Sequence, residues 1–233
     1  MYRNTFLSVM FLACCFNGSL CAQSDAQIYE RTCDAKTYPF SDPSPVATPN
    51  NSYYPYFRFD GFSMQAQEKQ WKMVVLENDY VKLTVTPEIG GKIWGAIDKV
   101  NNKEFVYTNG VVKFRDVAMR GPWTSGGIEF NFGIIGHAPT CSTPIDYLTK
   151  KNVDGSVSCH IFSYEWITRT VWNVEISLPK DKAYFTTHTT WFNQSSIDQP
   201  YYQWMNAGYA TKTGTRFYYP GTYSCLLYTS PSP

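Results

Sequence analysis

Two proton-exchanging side chains, Glu129 and His137, stand close together in a glycine-rich stretch of the chain. A reaction at the anomeric carbon of a sugar needs one group to remove a hydroxyl proton and another to protonate an oxygen, with pKa values near neutrality. A carboxyl group and an imidazole can divide these two roles. The pair therefore predicts acid/base chemistry, with Glu129 and His137 as the candidate catalytic residues.

Two other interpretations of Glu129 stay open at the level of sequence. A glycosidase uses two carboxyl groups, about 5 Å apart when configuration is retained and further apart when it is inverted. Asp116 or Asp146 could supply the second carboxyl group. Glu129 could instead hydrogen-bond to loop amides or pair with Arg120, since structural ion pairs also occur in loops.

Several nearby side chains are suited to holding a sugar. Arg120 offers a planar fork of donors for hydroxyls or a carboxylate, although a salt bridge that pins the loop is an equal alternative. Trp123 stands among Gly and Pro residues that leave its ring face free. Trp204 and Asn206 are two positions apart and so share one face of a strand, where Trp204 could also be a core residue. The substrate-binding candidates are Arg120, Trp123, Asn131, Tyr202, Trp204 and Asn206.

The cysteine and histidine content gives no metal pattern. The chain has three His and no Cys-x-x-Cys pair, so we expect neither a metal site nor a cofactor. Three cysteines, Cys33, Cys141 and Cys159, remain when the predicted signal peptide (residues 1–22) and the suspected sequencing-adapter tail (residues 225–233) are excluded. An odd count outside the cytoplasm allows one disulfide and one free thiol. Cys141 and Cys159 would close a modest loop, and Cys33 could also take part.

Residues 1–22 are predicted to be a signal peptide. A positively charged start precedes an apolar stretch at residues 6–16, which is too short to span a bilayer, and a small-residue cleavage site follows. Lipid attachment at Cys14 or Cys15 is the less favoured alternative, because both lie inside the apolar stretch. We therefore expect export to a periplasmic or extracellular space. No later run is apolar enough for a transmembrane helix.

The other end of the chain, residues 225–233, is similar to one reading frame of a common sequencing adapter. Such scars are excluded before the fold is considered. On this interpretation the natural sequence stops at Ser224 because a DNA fragment ended there. The alternative is a natural tail rich in Pro and Ser.

The elements that must position these residues are strands. Residues 23–70 are rich in Pro and Tyr and are expected to pack as an irregular strap, because frequent prolines favour extended chain. From Trp71 onward apolar residues alternate with polar ones, as in residues 81–86 and 171–178, and Gly, Asn and Asp turns separate the runs. The pattern predicts an all-β sandwich or barrel over residues 71–224. A net charge of +1 without a Lys/Arg cluster gives no reason to expect a nucleic-acid partner.

A family resemblance narrows this expectation. Residues 76–93, a strand ending in Pro followed by a Gly-Gly corner, and the hairpin at residues 98–107 resemble the opening of galactose-mutarotase-like domains. Residues 115–137, 171–182 and 201–209 resemble a family of exported bacterial proteins of unknown function. In that family a mutarotase-like sandwich usually precedes tetratricopeptide repeats. The resemblance covers roughly residues 38–224.

The resemblance implies a two-layer antiparallel supersandwich, here incomplete at its C-terminus, and a carbohydrate-facing cleft. It also implies that the general base of true mutarotases, a Glu near the far end of the domain, would lie beyond Ser224. The first functional hypothesis is therefore a carbohydrate-active protein that works at an anomeric or glycosidic carbon when full length. The alternatives are a non-catalytic glycan-binding module and an assembly platform whose protein partners bind missing C-terminal repeats.

Overall fold

The computed structural model describes residues 24–41, 61–116, 122–133, 137–165, 168–209, 213–216 and 218. Within them the regular structure is β-strand, with two short 3₁₀ helices at Pro87–Ile89 and Pro139–Ser142. The strands, in chain order, are β1 (Gln27–Tyr38), β2 (Gln67–Glu77), β3 (Val81–Thr86), β4 (Lys92–Asp98), β5 (Lys103–Val106), β6 (Val112–Lys113), β7 (Arg115–Asp116), β8 (Pro122–Trp123), β9 (Ile128–Phe132), β10 (Asp146–Lys151), β11 (Val157–Glu165), β12 (Thr170–Leu178), β13 (Thr186–Asn193) and β14 (Gln203–Ala207).

The strands form two principal sheets. The larger sheet has the order β14-β9-β4-β3-β2-β1-β6, and β5 also pairs with β4. Its pairs are antiparallel except for the short parallel contact of β1 with β6. The smaller sheet is an antiparallel meander, β10-β11-β12-β13, and β7 and β8 form a separate two-stranded ribbon.

The main core lies between the two sheets. Alternation places Leu83 of β3 and Val174 of β12 in one buried cluster, so side chains from facing sheets share it. Trp172, which the alternation of residues 171–178 assigns to the core, is 1% exposed and stacks on Phe132 with 4.5 Å between ring centroids. The predicted all-β antiparallel sandwich is thus confirmed.

The outer face of the larger sheet is also covered. Trp71, Met73, Trp94, Val112 and Phe114 belong to a second buried cluster. On β4 the neighbouring residue Ile93 belongs to the core between the sheets, because successive side chains of a strand point to opposite faces. Segments after β5 therefore pack over the outer face, where the candidate site also lies.

The N-terminal strap predicted for residues 23–70 needs correction. β1 is a regular strand that pairs with β2 from Gln27↔Glu77 to Thr37↔Gln67. The prolines begin only at Pro39, so nothing in β1 blocks the hydrogen bonds that β2 offers. The larger sheet begins at Gln27 rather than at Trp71. The aromatic residues 53–59, the predicted signal peptide and residues 225–233 lie outside the described residues.

None of the helices in the described residues is long and apolar enough to cross a bilayer. The disulfide that the odd cysteine count allows is not formed. Cys33, Cys141 and Cys159 are all free thiols, and the last two are buried.

Candidate functional site

Strand β9 delivers Glu129 to the outer face of the larger sheet. Ile128, Phe130 and Phe132 point into the core between the sheets. Because side chains alternate along a strand, Glu129 and Asn131 point the other way. Both are buried nevertheless, with Glu129 2% and Asn131 0% exposed. The alternation of side chains along β9 thus places the carboxyl group of Glu129 in a buried position on the outer face of the sheet. The groups that contact it there determine what it can do chemically.

The carboxylate of Glu129 is held by Asn131 and His137. Asn131 Nδ2 donates to Glu129 Oε1 at 2.8 Å, and His137 Nδ1 lies 2.8 Å from the same oxygen. Asn131 Oδ1 in turn accepts a hydrogen bond from the backbone N–H of Ala138 at 2.8 Å. One buried amide therefore fixes both the carboxylate and the turn that presents His137.

His137 adopts a backbone conformation that is unusual for a residue with a side chain. Its φ is +52°, in the left-handed region that glycine favours. Strained backbone of this kind persists only where the surrounding contacts hold it, and it clusters at functional sites. Here the contacts are the hydrogen bond to Glu129 and the anchored amide of Ala138.

Lys92, which the sequence patterns did not single out, completes the buried charge cluster. Its Nζ lies 3.8 Å from Glu129 Oε2, and the two side chains are 1% and 2% exposed. The ammonium also donates to the backbone carbonyl and the hydroxyl of Thr124. Burial lowers the pKa of Lys92, and the charge of Glu129 opposes that shift. The sequence did contain a signal for Lys92. This residue directly follows the Gly-Gly corner and shares a strand face with Trp94.

Aromatic rings surround His137. The ring centroids of His137 and Trp204 are 4.9 Å apart in an edge-to-face arrangement, and those of His137 and Trp123 are 5.8 Å apart. The ammonium of Lys92 lies 5.8 Å from the centroid of Trp123. Trp204 reaches this place because β14 pairs with β9 in a register that sets it opposite Asn131.

A pocket of about 170 Å³ opens beside this cluster. Of the predicted site residues, Glu129, Trp123 and Asn206 line it, while His137, Asn131, Trp204 and Tyr202 stand outside its wall. The full set of lining residues is Lys92, Trp123, Gly126, Gly127, Glu129, Asn206, Ala207 and Gly208. Glu129 Oε2 has no hydrogen-bond partner in the described part of the chain although it is buried.

Three glycines, Gly126, Gly127 and Gly208, form part of the pocket wall, where backbone segments meet. Gly127 has φ +68°, and an added Cβ would lie 2.4 Å from the carbonyl oxygen of Ile93. Its N–H donates to Tyr107 O at 2.8 Å, and its carbonyl accepts from Gly208 N at 2.8 Å. A side chain at position 127 would therefore push the segment around Gly127 away from β4.

The other sequence candidates are placed less favourably. Arg120 lies outside the described residues. Tyr202 is 42% exposed, and its backbone carbonyl accepts a hydrogen bond from Gly133. Asp146 is in β10 at the edge of the smaller sheet, whereas Glu129 points away from that sheet, so these two do not form the carboxyl pair of a glycosidase. Asp116 lies in the short strand β7.

Two larger cavities occur elsewhere. One, of about 360 Å³, is lined by residues that include Arg31, Trp94 and Glu104. Another, of about 300 Å³, is lined by residues that include Trp71 and Phe114. Neither holds a predicted site residue. The smaller pocket is the stronger candidate because it is lined by Lys92, whose pKa is lowered by burial, and a perturbed ionisable group in a cleft marks a functional site. No group of three or more His, Cys, Asp or Glu side chains able to hold a metal ion occurs among the described residues.

Comparison with known proteins gives a family and a solved structure. Residues 48–227 match the profile of a domain of unknown function, DUF5107. A TPR-domain containing protein from Parabacteroides distasonis ATCC 8503 is similar in structure, with a TM-score of 0.72 and 27% sequence identity. The similarity covers 79% of this chain but only 32% of that protein. The predicted resemblance to a family of unknown function is thereby confirmed, and the similar structure contains a TPR domain, as is usual in the predicted family. The likeness to galactose mutarotases stays a prediction. Since the profile matches most of its length, the chain belongs to the DUF5107 family.

Proposed function

We propose that this domain handles carbohydrate and that, in the longer protein, it acts at an anomeric or glycosidic carbon. The observation that carries the proposal is the contact of buried Glu129 with half-buried His137, 2.8 Å from Oε1 to Nδ1, beside a pocket lined by Glu129 and Trp123. A carboxylate in this position fixes the orientation of an imidazole ring, which suits the ring to proton transfer.

The division of labour follows from the contacts. Nδ1 of His137 is engaged with Glu129, and Nε2 has no hydrogen-bond partner among the residues that the structure describes. Nε2 is therefore the atom that would accept a proton from, or return it to, a sugar oxygen. Glu129 stabilises the imidazolium that forms, and its second oxygen, Oε2, stays available on the side of Lys92. In a ring-opening step Nε2 takes the proton of the anomeric hydroxyl as the bond between C1 and the ring oxygen breaks, and the imidazolium then returns that proton to the ring oxygen.

Aromatic and amide groups supply the binding surface. Trp123 lines the pocket and is half-buried, which leaves part of its ring for the C–H face of a sugar. Asn206 is exposed and can both donate to and accept from hydroxyl groups. The pocket volume of about 170 Å³ lies below the roughly 300–1,000 Å³ of sites for drug-sized ligands. It fits part of a glycan, such as one terminal ring.

A second function is favoured by the similar solved structure, a TPR-domain containing protein. Repeats of this kind stack helix pairs into extended concave binding surfaces. We propose that longer proteins of this arrangement bind protein partners through such repeats, with the sandwich as a platform. The signal-like residues 1–22 support a further proposal, that this assembly works in a periplasmic or extracellular space.

The catalytic proposal is tested on the full-length protein that contains this domain. NMR exchange between the anomers of glucose and galactose measures mutarotation, and nitrophenyl glycosides measure hydrolysis. We expect Glu129→Gln and His137→Asn to lower turnover by about 10²–10⁴-fold while sugar binding persists. His188→Asn, on β13 of the smaller sheet, is the matched control and should keep full turnover.

Three outcomes separate the alternatives. Binding without turnover in the unaltered protein indicates a glycan-binding module. Neither binding nor turnover, together with capture of a protein partner by the repeats, indicates an assembly platform. Equal turnover in the Glu129 and His137 variants and in the unaltered protein would assign the chemistry to other residues.

A further inference from the structure

We infer that Lys92 and Glu129 together bind a single hydroxyl group of a neutral sugar, which accepts a hydrogen bond from Lys92 Nζ and donates one to Glu129 Oε2. The inference rests on the proposed carbohydrate function and narrows it to a substrate class. Sugars that present a carboxylate or a phosphate to this pocket are expected to be rejected.

The first argument is the distance between Lys92 Nζ and Glu129 Oε2. Nζ and Oε2 are 3.8 Å apart, which is too far for a direct hydrogen bond. An oxygen placed between them can lie within about 2.8 Å of both, the ordinary length of such contacts. A hydroxyl group meets both needs because it accepts and donates at the same oxygen.

The second argument is that Lys92 Nζ and Glu129 Oε2 both have hydrogen-bonding capacity that the described residues do not use. An ammonium has three donors, and Thr124 takes up two of those of Lys92 through its carbonyl and its hydroxyl. Glu129 Oε1 has two partners, whereas Oε2 has none among the described residues. Both side chains line the same pocket and are 98% or more buried. Buried polar groups in folded proteins are almost always satisfied, so an unpartnered carboxylate oxygen beside a pocket points to a ligand.

The charge balance carries the third step. Lys92 is the one basic side chain among the described residues that line the pocket, and Glu129 already neutralises it. An anionic group between them would lie as close to the carboxylate as to the ammonium. Like charges repel strongly where burial lowers the effective dielectric constant. A neutral hydroxyl avoids this repulsion.

The test compares matched neutral and acidic sugars on the full-length protein that contains this domain. Glucose is compared with glucuronate, and galactose with galacturonate, by saturation-transfer NMR and by quenching of tryptophan fluorescence. We expect the neutral member of each pair to bind at least about tenfold more tightly, the effect of one unfavourable charge contact of modest size. A near-ultraviolet circular dichroism spectrum establishes that each protein is folded.

Glu129→Gln gives a gain of binding that misfolding cannot imitate. The variant keeps the shape of the side chain but leaves Lys92 without its counter-charge, so we expect the preference to invert toward glucuronate and galacturonate. Glu175→Gln on β12, whose carboxylate accepts a hydrogen bond from Ser158 in the smaller sheet, is the matched control and should keep the neutral preference. Lys92→Met should weaken binding of both neutral sugars by about fivefold or more, as loss of a hydrogen bond between a charged group and its ligand predicts.

Each remaining result is decisive. If folded protein binds uronates as tightly as neutral sugars, or if Glu129→Gln leaves the preference unchanged, the bridging hydroxyl is wrong while the carbohydrate function stands. If neither the unaltered chain nor the Glu129 variant binds any of the four sugars although both are folded, the carbohydrate function itself falls, and this inference with it.

Discussion

Asn206 on β14 lies directly opposite Glu129 on β9 in the antiparallel register of the larger sheet. Directly opposed residues project from the same face, so an exposed amide stands next to the buried carboxylate at the pocket. Two further pocket residues, Ala207 and Gly208, follow along the same segment. The last strand that the structure describes is therefore one wall of the site.

This arrangement predicts that Asn206→Ala weakens sugar binding without destabilising the fold. Loss of one neutral hydrogen bond should lower affinity by about 2- to 10-fold. The free energy of unfolding should change by less than about 0.5 kcal/mol, because the side chain is exposed. Met205→Ala, on the opposite face of the same strand, is the control and should leave affinity unchanged. Titration and urea unfolding measure the two effects, and an equal loss of affinity in both variants would contradict the assignment.

Asn131 is predicted to be a positioning residue whose loss damages both fold and site. Asn131→Ala leaves Glu129 Oε1 with one partner fewer and removes the acceptor of the Ala138 amide. Because each group is buried, we expect the free energy of unfolding to fall by at least about 2 kcal/mol in urea titrations. Asn101→Ala, in an exposed turn where Asn101 bonds to Asp98, is the control and should cost less than about 1 kcal/mol. Equal costs for the two variants would show that Asn131 does not organise the site.

Gly127→Ala is predicted to be strongly destabilising. The residue has φ +68°, and its new Cβ would lie 2.4 Å from the backbone oxygen of Ile93, which no rotamer change can relieve. A left-handed alanine alone costs about 1–3 kcal/mol, and the clash adds to that. Gly110→Ala is the matched control, since a Cβ there meets nothing within 4 Å. Thermal unfolding should show a clearly lower midpoint for the first variant only, and similar midpoints would refute the predicted clash.

The buried cysteines are predicted to resist alkylation. Burial, followed by the charge of Glu129, raises the pKa of Cys141 well above its ordinary value. Burial also raises the pKa of Cys159, to about 12. Since only the thiolate attacks, iodoacetamide at about pH 8 should leave both unmodified in the folded chain and modify both after denaturation. Half-buried Cys33 is the internal control and should react first in mass spectra. Alkylation of Cys141 as fast as Cys33 would mean that the site is open.

The stability of the chain should depend on pH through Lys92. Folding lowers the pKa of this ammonium from 10.5, chiefly by burial. Between the lowered pKa and 10.5 the unfolded chain binds one proton more than the folded chain, so the free energy of unfolding rises with pH in that window. Lys92→Met should remove this rise. Urea unfolding at several pH values above 7 measures the difference between the two proteins. Lys182→Met, at an exposed lysine, is the control and should keep the rise. A wild-type curve that falls relative to Lys92→Met would reverse the sign and refute the buried ammonium.

Much of the fold and part of the site follow from local patterns in the sequence. The alternation of residues 171–178 is enough to predict a half-buried strand with Trp172 inside, because side chains of a strand alternate between faces. Glu129 and His137 are eight residues apart in the sequence, so their contact could be predicted before the tertiary structure was known. Trp204 and Asn206 share a face for the same reason of period.

The remaining features of the site and fold could be known only from the tertiary structure. The pairing of β14 with β9 sets Asn206 against Glu129, and the outward face of β4 brings Lys92 to the same carboxylate. The regular pairing of β1 with β2, where an irregular strap was expected, is of the same kind. The alternating pattern of a strand shows which of its faces is buried, and a short turn can fix the register of a hairpin, but β9 and β14 share no turn. Nothing local in the sequence therefore shows that these two strands become neighbours. The sequence therefore determined which side chains could do chemistry, and the order of strands in the sheet determined which of them meet.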